Sequence, residues 1–523
     1  MSLTLLASAI ATIYVTHRLV DYWRAARSIN NHPGYRTLLA QTSSIGHFFP
    51  PIPGITPGGN HLFMNKYRMY EIVGCDIHSA VSAWPTATTT LFVADAAAIK
   101  QVALARTRFQ KPVHHYDVLE LYGRNLITAE GDEWKKYRKI CAPAFSERNN
   151  RLVWEETIKI MDSLFEDVWG SKEIIATDHV VEITLPIALF VIGAAGFGRK
   201  ISWKDGDLAP PGHRLTFKEA LHVVSTDVFI KLVVPDRALG LTERLRSVKV
   251  AFEELKQYML EMIDERQRAG NLEGRHDLLS SLLNANDLDS GESKLTVSEL
   301  LGNIFIFLLA GHETTAHTLC FTFALLALHP DEQEILYQHT QSVLSRVGDA
   351  PTYDNMPLFT QSLAVFYETL RMFPPATGIM KTCMEDTTLA TTDALGNQIV
   401  VPVPKGADVT MDFTALHYNP RYWDEPHAFR PSRFLKEWPR DAFLPFSTGA
   451  RACLGRKFFE TEGIAILTKV ISRYRIEVKE EPQFALETFE QRKARIFKTR
   501  LGLTLTPIKV PLVFKLRETK TVT

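Results

Sequence analysis

Phe446-Ser447-Thr448-Gly449-Ala450-Arg451-Ala452-Cys453-Leu454-Gly455 sets one cysteine among glycines and an arginine. Gly449 and Gly455 permit backbone geometry closed to other residues. The N–H groups after Cys453, at the start of the next helix, can point at its sulfur. With the helix dipole and the fixed cation of Arg451 they favour thiolate. A depressed thiol pKa is therefore expected, which suits a nucleophile or a metal ligand. A cysteine phosphatase needs a longer turn before its phosphate-holding arginine than Cys453-Leu454-Gly455-Arg456 provides. No second cysteine or histidine lies near, so a four-ligand zinc site fails. One thiolate alone suits a cofactor that brings its remaining ligands, as haem does. The loop by itself leaves open a buried structural cysteine.

Upstream, Thr296-Val297-Ser298-Glu299 is a capping box, and no proline follows until Pro330. That predicts a helix of about thirty residues, some 45 Å long. Leu300 to Ala310 and Thr318 to Leu328 are apolar all round, so the helix is buried. Its middle reads Ala310-Gly311-His312-Glu313-Thr314-Thr315. A carboxylate and two hydroxyls are costly in a core without partners. A widened or kinked turn, open to ligand or water, accounts for them; a core kink without chemistry is the alternative. A transmembrane reading fails because Glu313 and two histidines fall at the centre. A zinc-protease reading fails because His312 and His317 lie five residues apart, roughly 140° around the axis.

A further helix opens at Met356-Pro357 and ends at Pro374-Pro375. It carries Glu368 and Arg371, three apart and so on one face among apolar neighbours, where a buried pair fixes geometry. Elsewhere Thr88–Ala94 reads as a strand and Asp95 as the cap of a short helix. Helical periodicity dominates from Glu133 to about Gly348, with loops at Trp203–His213 and Asn284–Ser293. Beyond Pro374 come short strands and turns, a final helix near Lys457–Arg475, and a strand-rich tail to Leu516. The expected fold class is mainly α with small β-sheets (α+β), in one domain.

Of the 523 residues, 46% are hydrophobic and 23% charged, which excludes a disordered chain, a fibre and a polytopic membrane protein. Lys+Arg and Asp+Glu are both 59, so nothing global argues for nucleic acid. Five scattered cysteines without a CxxC pair exclude a disulfide framework and point to a reducing compartment. Leu3 to Val15 is almost wholly apolar. Extended through Leu19, Val20, Tyr22 and Trp23 with Arg18 snorkelling, it spans a bilayer. Arg18, Arg24, Arg27 and Arg36 follow it, which keeps the body cytosolic. Residues 1–25 are thus expected to be a membrane anchor, with a buried amphipathic helix as the alternative. Residues 26–60, ending in the Pro50–Gly59 run, are expected to be a basic and proline-rich linker, and 61–523 the catalytic domain.

Taken together, these residues resemble the cytochrome P-450 family of haem-thiolate monooxygenases from about Pro50 onward. Phe446, Gly449, Arg451, Cys453 and Gly455 match its haem-binding pattern. Ala310 to Thr315 match its oxygen-activation motif, and Glu368 with Arg371 its Glu-x-x-Arg signature. Phe429-Arg430-Pro431-Ser432-Arg433-Phe434 is similar to the segment whose arginine joins that pair. Ser432 replaces the usual acid, so only Arg433 carries over. Trp134 and Arg138 match a pair that holds a haem propionate, and Lys381 stands where many members have an arginine. Anchor and hinge resemble eukaryotic, fungal-like members of the endoplasmic-reticulum membrane.

The resemblance implies the P-450 fold, with the long central helix across haem b and Cys453 as iron ligand. Trp134, Arg138, Arg451 and Lys381 would bind propionates, Glu313 would relay protons, and Thr314 would hold dioxygen. Electrons would come from NADPH through NADPH–cytochrome P-450 reductase, with cytochrome b5 as a further partner. Lys135, Lys136, Lys139, Arg456 and Lys457 would form the docking patch. The implied reaction inserts one oxygen atom into a lipophilic small molecule such as a terpenoid or sterol. Phe305, Phe307 and Leu308, the segment Pro112–Ile127 and the apolar Val223, Val224, Phe229 and Val233 would face it. The rival readings are a haem-thiolate isomerase or dehydratase acting on peroxides without a reductase, and a non-enzymatic haem or lipid carrier.

Overall fold

The computed structural model describes residues 3–40, 43, 46, 49–201, 203, 208–269, 275–288 and 294–518. Its elements begin with an exposed helix Leu3–Ser28, then β1 (Gly34–Leu39), β2 (Ile77–Trp84) and β3 (Thr88–Val93). Asp95 caps helix Ala96–Leu104 through the Ala98 N–H, as its side-chain chemistry dictates. After β4 (Phe109–Gln110) come helices Gly131–Cys141 and Glu147–Ser163, then β5 (Ile174–Thr177). Helices Val181–Val191, Phe217–Thr226, Glu243–Arg268 and Leu278–Leu288 precede the long helix Val297–Leu328. Helices Pro330–Val347 and Thr360–Met372 follow it, then β6 (Gly378–Cys383), β7 (Thr387–Thr392), β8 (Gln398–Val403) and β9 (Asp408–Asp412). Helix Arg456–Arg473, β10 (Tyr474–Val478), helix Phe489–Ile496, β11 (Thr499–Leu501), β12 (Leu505–Pro507) and β13 (Leu512–Leu516) complete the order.

The largest sheet has six strands in the order β1-β2-β3-β9-β6-β4. Its β3 pairs in parallel with β9, which brings the chain after helix Thr360–Met372 back beside the early hairpin. The other sheets are β10-β13-β5, β11-β12 and β7-β8. The long helix runs through the main core, packed against helices Val181–Val191, Thr360–Met372 and Arg456–Arg473. Its capping box forms as expected: Thr296 accepts from the Glu299 N–H, and the Glu299 carboxylate accepts from the Thr296 N–H.

Several local expectations need correction. The long helix is not broken at Ala310–Thr315 but runs continuously from Val297 to Leu328. Its hydroxyls find partners in the helix itself: Thr314 Oγ1 donates to Ala310 O at 2.8 Å and Thr315 Oγ1 to Gly311 O at 2.9 Å. Gly311 serves close packing, since a Cβ there would meet Ile192 Cδ1 at 3.0 Å. Residues 34–39, inside the stretch expected as linker, form a strand paired in parallel with β2. The first helix likewise passes residue 25, and Ala26 and Ile29 pack on Val81. The helix expected to open at Met356-Pro357 begins as a 3-10 turn, Tyr353–Leu358, and turns α only from Thr360, because Pro357 sits inside that turn. Residues 284–288 are helical rather than looped, while 289–293 lie outside the described residues. Arg456–Arg473 is not the last helix. Thr488 and Gln491 form a second capping box that starts Phe489–Ile496. β5 interrupts the helical half because Ile174–Thr177 pairs with β13.

Candidate functional site

The cysteine loop is held open by backbone chemistry. Gly449 lies at φ 71°, a left-handed turn that favours glycine, and Ser447 at φ 60°. The Cys453 N–H donates to Phe446 O at 2.9 Å, closing the loop just before Gly455 caps helix Arg456–Arg473. Cys75, Cys141, Cys320 and Cys383 are buried, whereas the Cys453 side chain is exposed. The expected lowering of its pKa is not what the loop supplies. Although accessible, Cys453 is set deep among protein atoms, and that desolvation pushes its thiol up, while the Gly455 and Arg456 N–H groups and the Arg138 and Arg456 cations pull it down. A metal cation on the sulfur is the charge that would reverse this balance.

Ala310 interrupts the buried run of the long helix. Every residue from Leu300 to Leu309 is buried, then Ala310 is exposed. Thr314 lies one turn further along the same face.

Near the loop, cations outnumber acids. Arg451 Nη2 donates to Ala129 O at 2.8 Å and pairs with Glu130, and its guanidinium lies 4.4 Å over the ring of buried Trp134. Arg106 stacks on Trp134 at 5.4 Å. Lys111 lies 3.6 Å over Tyr116, and burial holds it down to about 7, aided by Arg451 and Lys381. Buried Lys381 is lowered too, again chiefly by desolvation, with Glu130 opposing. Four cations around one carboxylate call for added negative charge. Arg138 takes a different side: its Nη1 donates to Ala452 O at 3.0 Å, beside the sulfur. An open thiol and an excess of cations fit a cofactor with a metal centre and pendant carboxylates, as haem has. Lys111 and Arg106 were not legible in the sequence, where nothing marks a lysine as buried.

On the long helix, Glu313 Oε1 accepts from Thr504 Oγ1 at 3.2 Å. Burial raises its pKa to about 7, against the pull of Thr504 and Arg500. His312 is buried with Nδ1 2.8 Å from Leu308 O, and His317 Nδ1 lies 2.8 Å from Thr504 Oγ1. Among the described residues no cluster of metal-ligating side chains occurs.

The Glu–Arg pair is wholly buried, as its apolar neighbours implied. Arg371 Nε and Nη2 donate to the two Glu368 oxygens at 2.7 and 2.9 Å, and Nη1 donates to His417 O and Pro426 O, both at 2.8 Å. Arg433 Nε completes the clamp on Glu368 Oε1 at 3.1 Å. His417, missed by sequence reasoning, carries the clamp to the cysteine loop. Its Nδ1 faces Arg371 O at 3.2 Å, and its Nε2 accepts from the Leu444 N–H at 2.9 Å.

The expected docking patch is partly spent on internal pairs: Lys135 with Asp132, Lys136 with Glu299, and Arg456 with Glu460. Phe305 and Phe307 are buried against Tyr122 and Phe145, at 4.9 and 5.4 Å between ring centres. Leu308 and Val224 are buried as well; the side chains of Phe229 and Val233 lie outside the described residues.

The profile of the family described as Cytochrome P450 matches residues 53–498. The chain is 49% identical to "Cytochrome P450 monooxygenase 124" of Postia placenta, over 99% of this chain and 100% of that one. It is 30% identical to "Cyclooctat-9-en-7-ol 5-monooxygenase" of Streptomyces melanosporofaciens, over 72% of this chain and 78% of the other. Its fold is similar to that of the solved cytochrome P450DA heme domain, with a TM-score of 0.71 and 24% identity, covering 87% of this chain and 93% of that structure.

Proposed function

The chain belongs to the cytochrome P450 family and is a monooxygenase of it, and from that premise we propose that it hydroxylates a lipophilic substrate with NADPH-derived electrons delivered by a partner reductase. The observation that carries this is the single open cysteine, held by the Phe446 carbonyl at a helix start and backed by Arg138. Cys453 would ligate haem iron, with Phe446, Gly449, Gly455 and Ala310 lining the haem. Arg451 and Lys381, with Trp134 behind Arg451, would neutralise the propionates, which are expensive to bury unpaired. Haem bound there supplies the oxidation of substrate by dioxygen.

The chain's own groups set orientation and proton delivery. Glu313, with a pKa of about 7, gains and loses a proton readily near neutrality. Thr314 lies beside it, its hydroxyl resting on the Ala310 carbonyl and free to turn toward a ligand. Apolar residues packed along the long helix support an apolar substrate, such as a terpenoid or sterol. The relative that acts on cyclooctat-9-en-7-ol, a cyclic alkenol by its name, is in keeping with that choice.

Residues 1–25 are proposed as an anchor to the endoplasmic-reticulum membrane, and 61–523 as the catalytic domain. The support is exposure: Ile10, Ile13 and Leu19 on the first helix are 60%, 69% and 61% exposed. Among the described residues, only Val297–Leu328 is long and apolar enough by composition to cross a membrane, and it is mostly buried in the core.

Purified protein combined with a P450 reductase, cytochrome b5 and a lipophile panel tests the reading. Product formation that needs both NADPH and dioxygen is expected. Turnover of lipid peroxides without reductase, and none with it, would replace this reading by that of an isomerase or dehydratase.

A further inference from the structure

Glu313 carries a proton load that its own helix does not explain. Its carboxylate is 14% exposed, and its hydrogen bond with Thr504 leaves the helix for the turn between β11 and β12. That turn is fixed: the Leu505 N–H donates to Pro375 O at 2.9 Å, and Thr506 Oγ1 donates to Thr504 O at 3.0 Å. Thr504 is 9% exposed, and its hydroxyl sits between two groups of the long helix. Glu313 Oε1 is on one side at 3.2 Å and His317 Nδ1 on the other at 2.8 Å. Direct approach of His317 to Glu313 is 4.0 Å, too long for a hydrogen bond. A single hydroxyl therefore bridges an acid and an imidazole one helical turn apart.

We propose that Thr504 and His317 are positioning residues that recharge Glu313: His317 Nδ1–H donates to Thr504 Oγ1, whose own O–H donates to Glu313 Oε1. The polarity follows from the acid. An ionised carboxylate only accepts, so Thr504 must donate to it, and the free Thr504 lone pair then needs a donor, which Nδ1–H supplies. When Glu313 gives up its proton to the active site, the Thr504 proton moves to Oε1. The His317 Nδ1 proton moves to Thr504, and His317 Nε2 takes one from water. One proton enters for each that leaves, and no redox partner is involved.

Burial holds His317 down to about 3, so the ring is neutral and passes protons without storing charge. The other charged or titratable groups that bear on the pair are Arg500 on β11, His312 on the same helix and His179 ahead of helix Val181–Val191. All three oppose a positive His317, and Arg500 favours the Glu313 anion. The inference rests on the proposed role of Glu313, yet its first test does not depend on turnover.

Infrared titration of the holoenzyme follows the protonated carboxyl band of Glu313, identified as the band lost in Glu313→Gln. Its midpoint is expected near 7 in the parent and higher by about one pH unit in Thr504→Val, which removes one hydrogen bond to the anion. Thr504→Ser should restore it, and Thr504→Ala serves if the valine variant does not fold. A midpoint unmoved in the valine or alanine variant overturns the proposal. His317→Gln keeps a donor to Thr504 but has no second site through which to pass a proton. It should leave the midpoint near 7, lower coupled turnover about tenfold and enlarge the solvent deuterium effect. Parent-like turnover with a parent-like isotope effect also overturns the proposal. If Thr314→Ala stays fully coupled, the role of the Glu313–Thr314 pair in turnover falls, while the infrared shift still reports on the Thr504 bridge.

Discussion

Glu313 shows how one side chain can be both costly and useful. Its folded pKa of about 7 lies above the value of an exposed glutamate. Between about pH 4.5 and 7 the folded state keeps a proton that the unfolded chain has released. Stability from this group is therefore complete below that window, falls as pH rises through it, and is flat above 7. Glu313→Gln should remove that slope and gain up to about 3 kcal/mol at pH 8, read by denaturant unfolding across pH. A slope identical to the parent's would show that Glu313 is not held protonated. Thr314→Ala is expected to divert electrons from product to hydrogen peroxide, measured as peroxide released per NADPH consumed; unaltered coupling would count against its role. Cys453 and Glu313 stand out in the sequence because a lone cysteine among glycines and an acid within an apolar helix are chemically unusual wherever they fall, and Thr314 stands out as the neighbour of that acid. Lys111 and His317 do not, because their significance comes from distant neighbours: Arg451 and Lys381 for the first, Thr504 for the second.

At the scale of elements, the clamp connects helix Thr360–Met372 to the cysteine loop. Glu368 and Arg371 are both fully buried and satisfied by carbonyls, Arg433 and His417. Removing one partner leaves the other charge stranded. Glu368→Ala should cost about 3–5 kcal/mol and release haem, measured by unfolding and by haem content after gel filtration. Retained stability and haem would mean that the clamp does not position the loop. The long helix, its capping box and the strand Thr88–Val93 were readable because their signals are local. The parallel pairing of β1 with β2 and the antiparallel pairing of β5 with β13 were not, since pairing partners lie far apart in sequence. The continuous turn at Ala310–Thr315 escaped for a related reason. The sequence shows Gly311, while Ile192, which needs the space, is set by the packing of another helix.

Across the whole molecule, equal numbers of acids and bases hide a local imbalance of charge around Arg451. Neither composition nor sequence order carries a trace of that cluster, whereas the N-terminal apolar run is plain in the order of the residues. Deleting residues 1–25 should move the protein from the membrane to the soluble fraction on centrifugation, with haem content unchanged. A truncated protein that still sediments with membranes would remove the anchor.

The reduced carbon monoxide complex tests the central claim most directly. The parent should show the spectrum of a thiolate-ligated haem, and Cys453→Ser should lose it while keeping the fold by circular dichroism. An unchanged spectrum in Cys453→Ser, or a parent without the thiolate signature, would contradict the account.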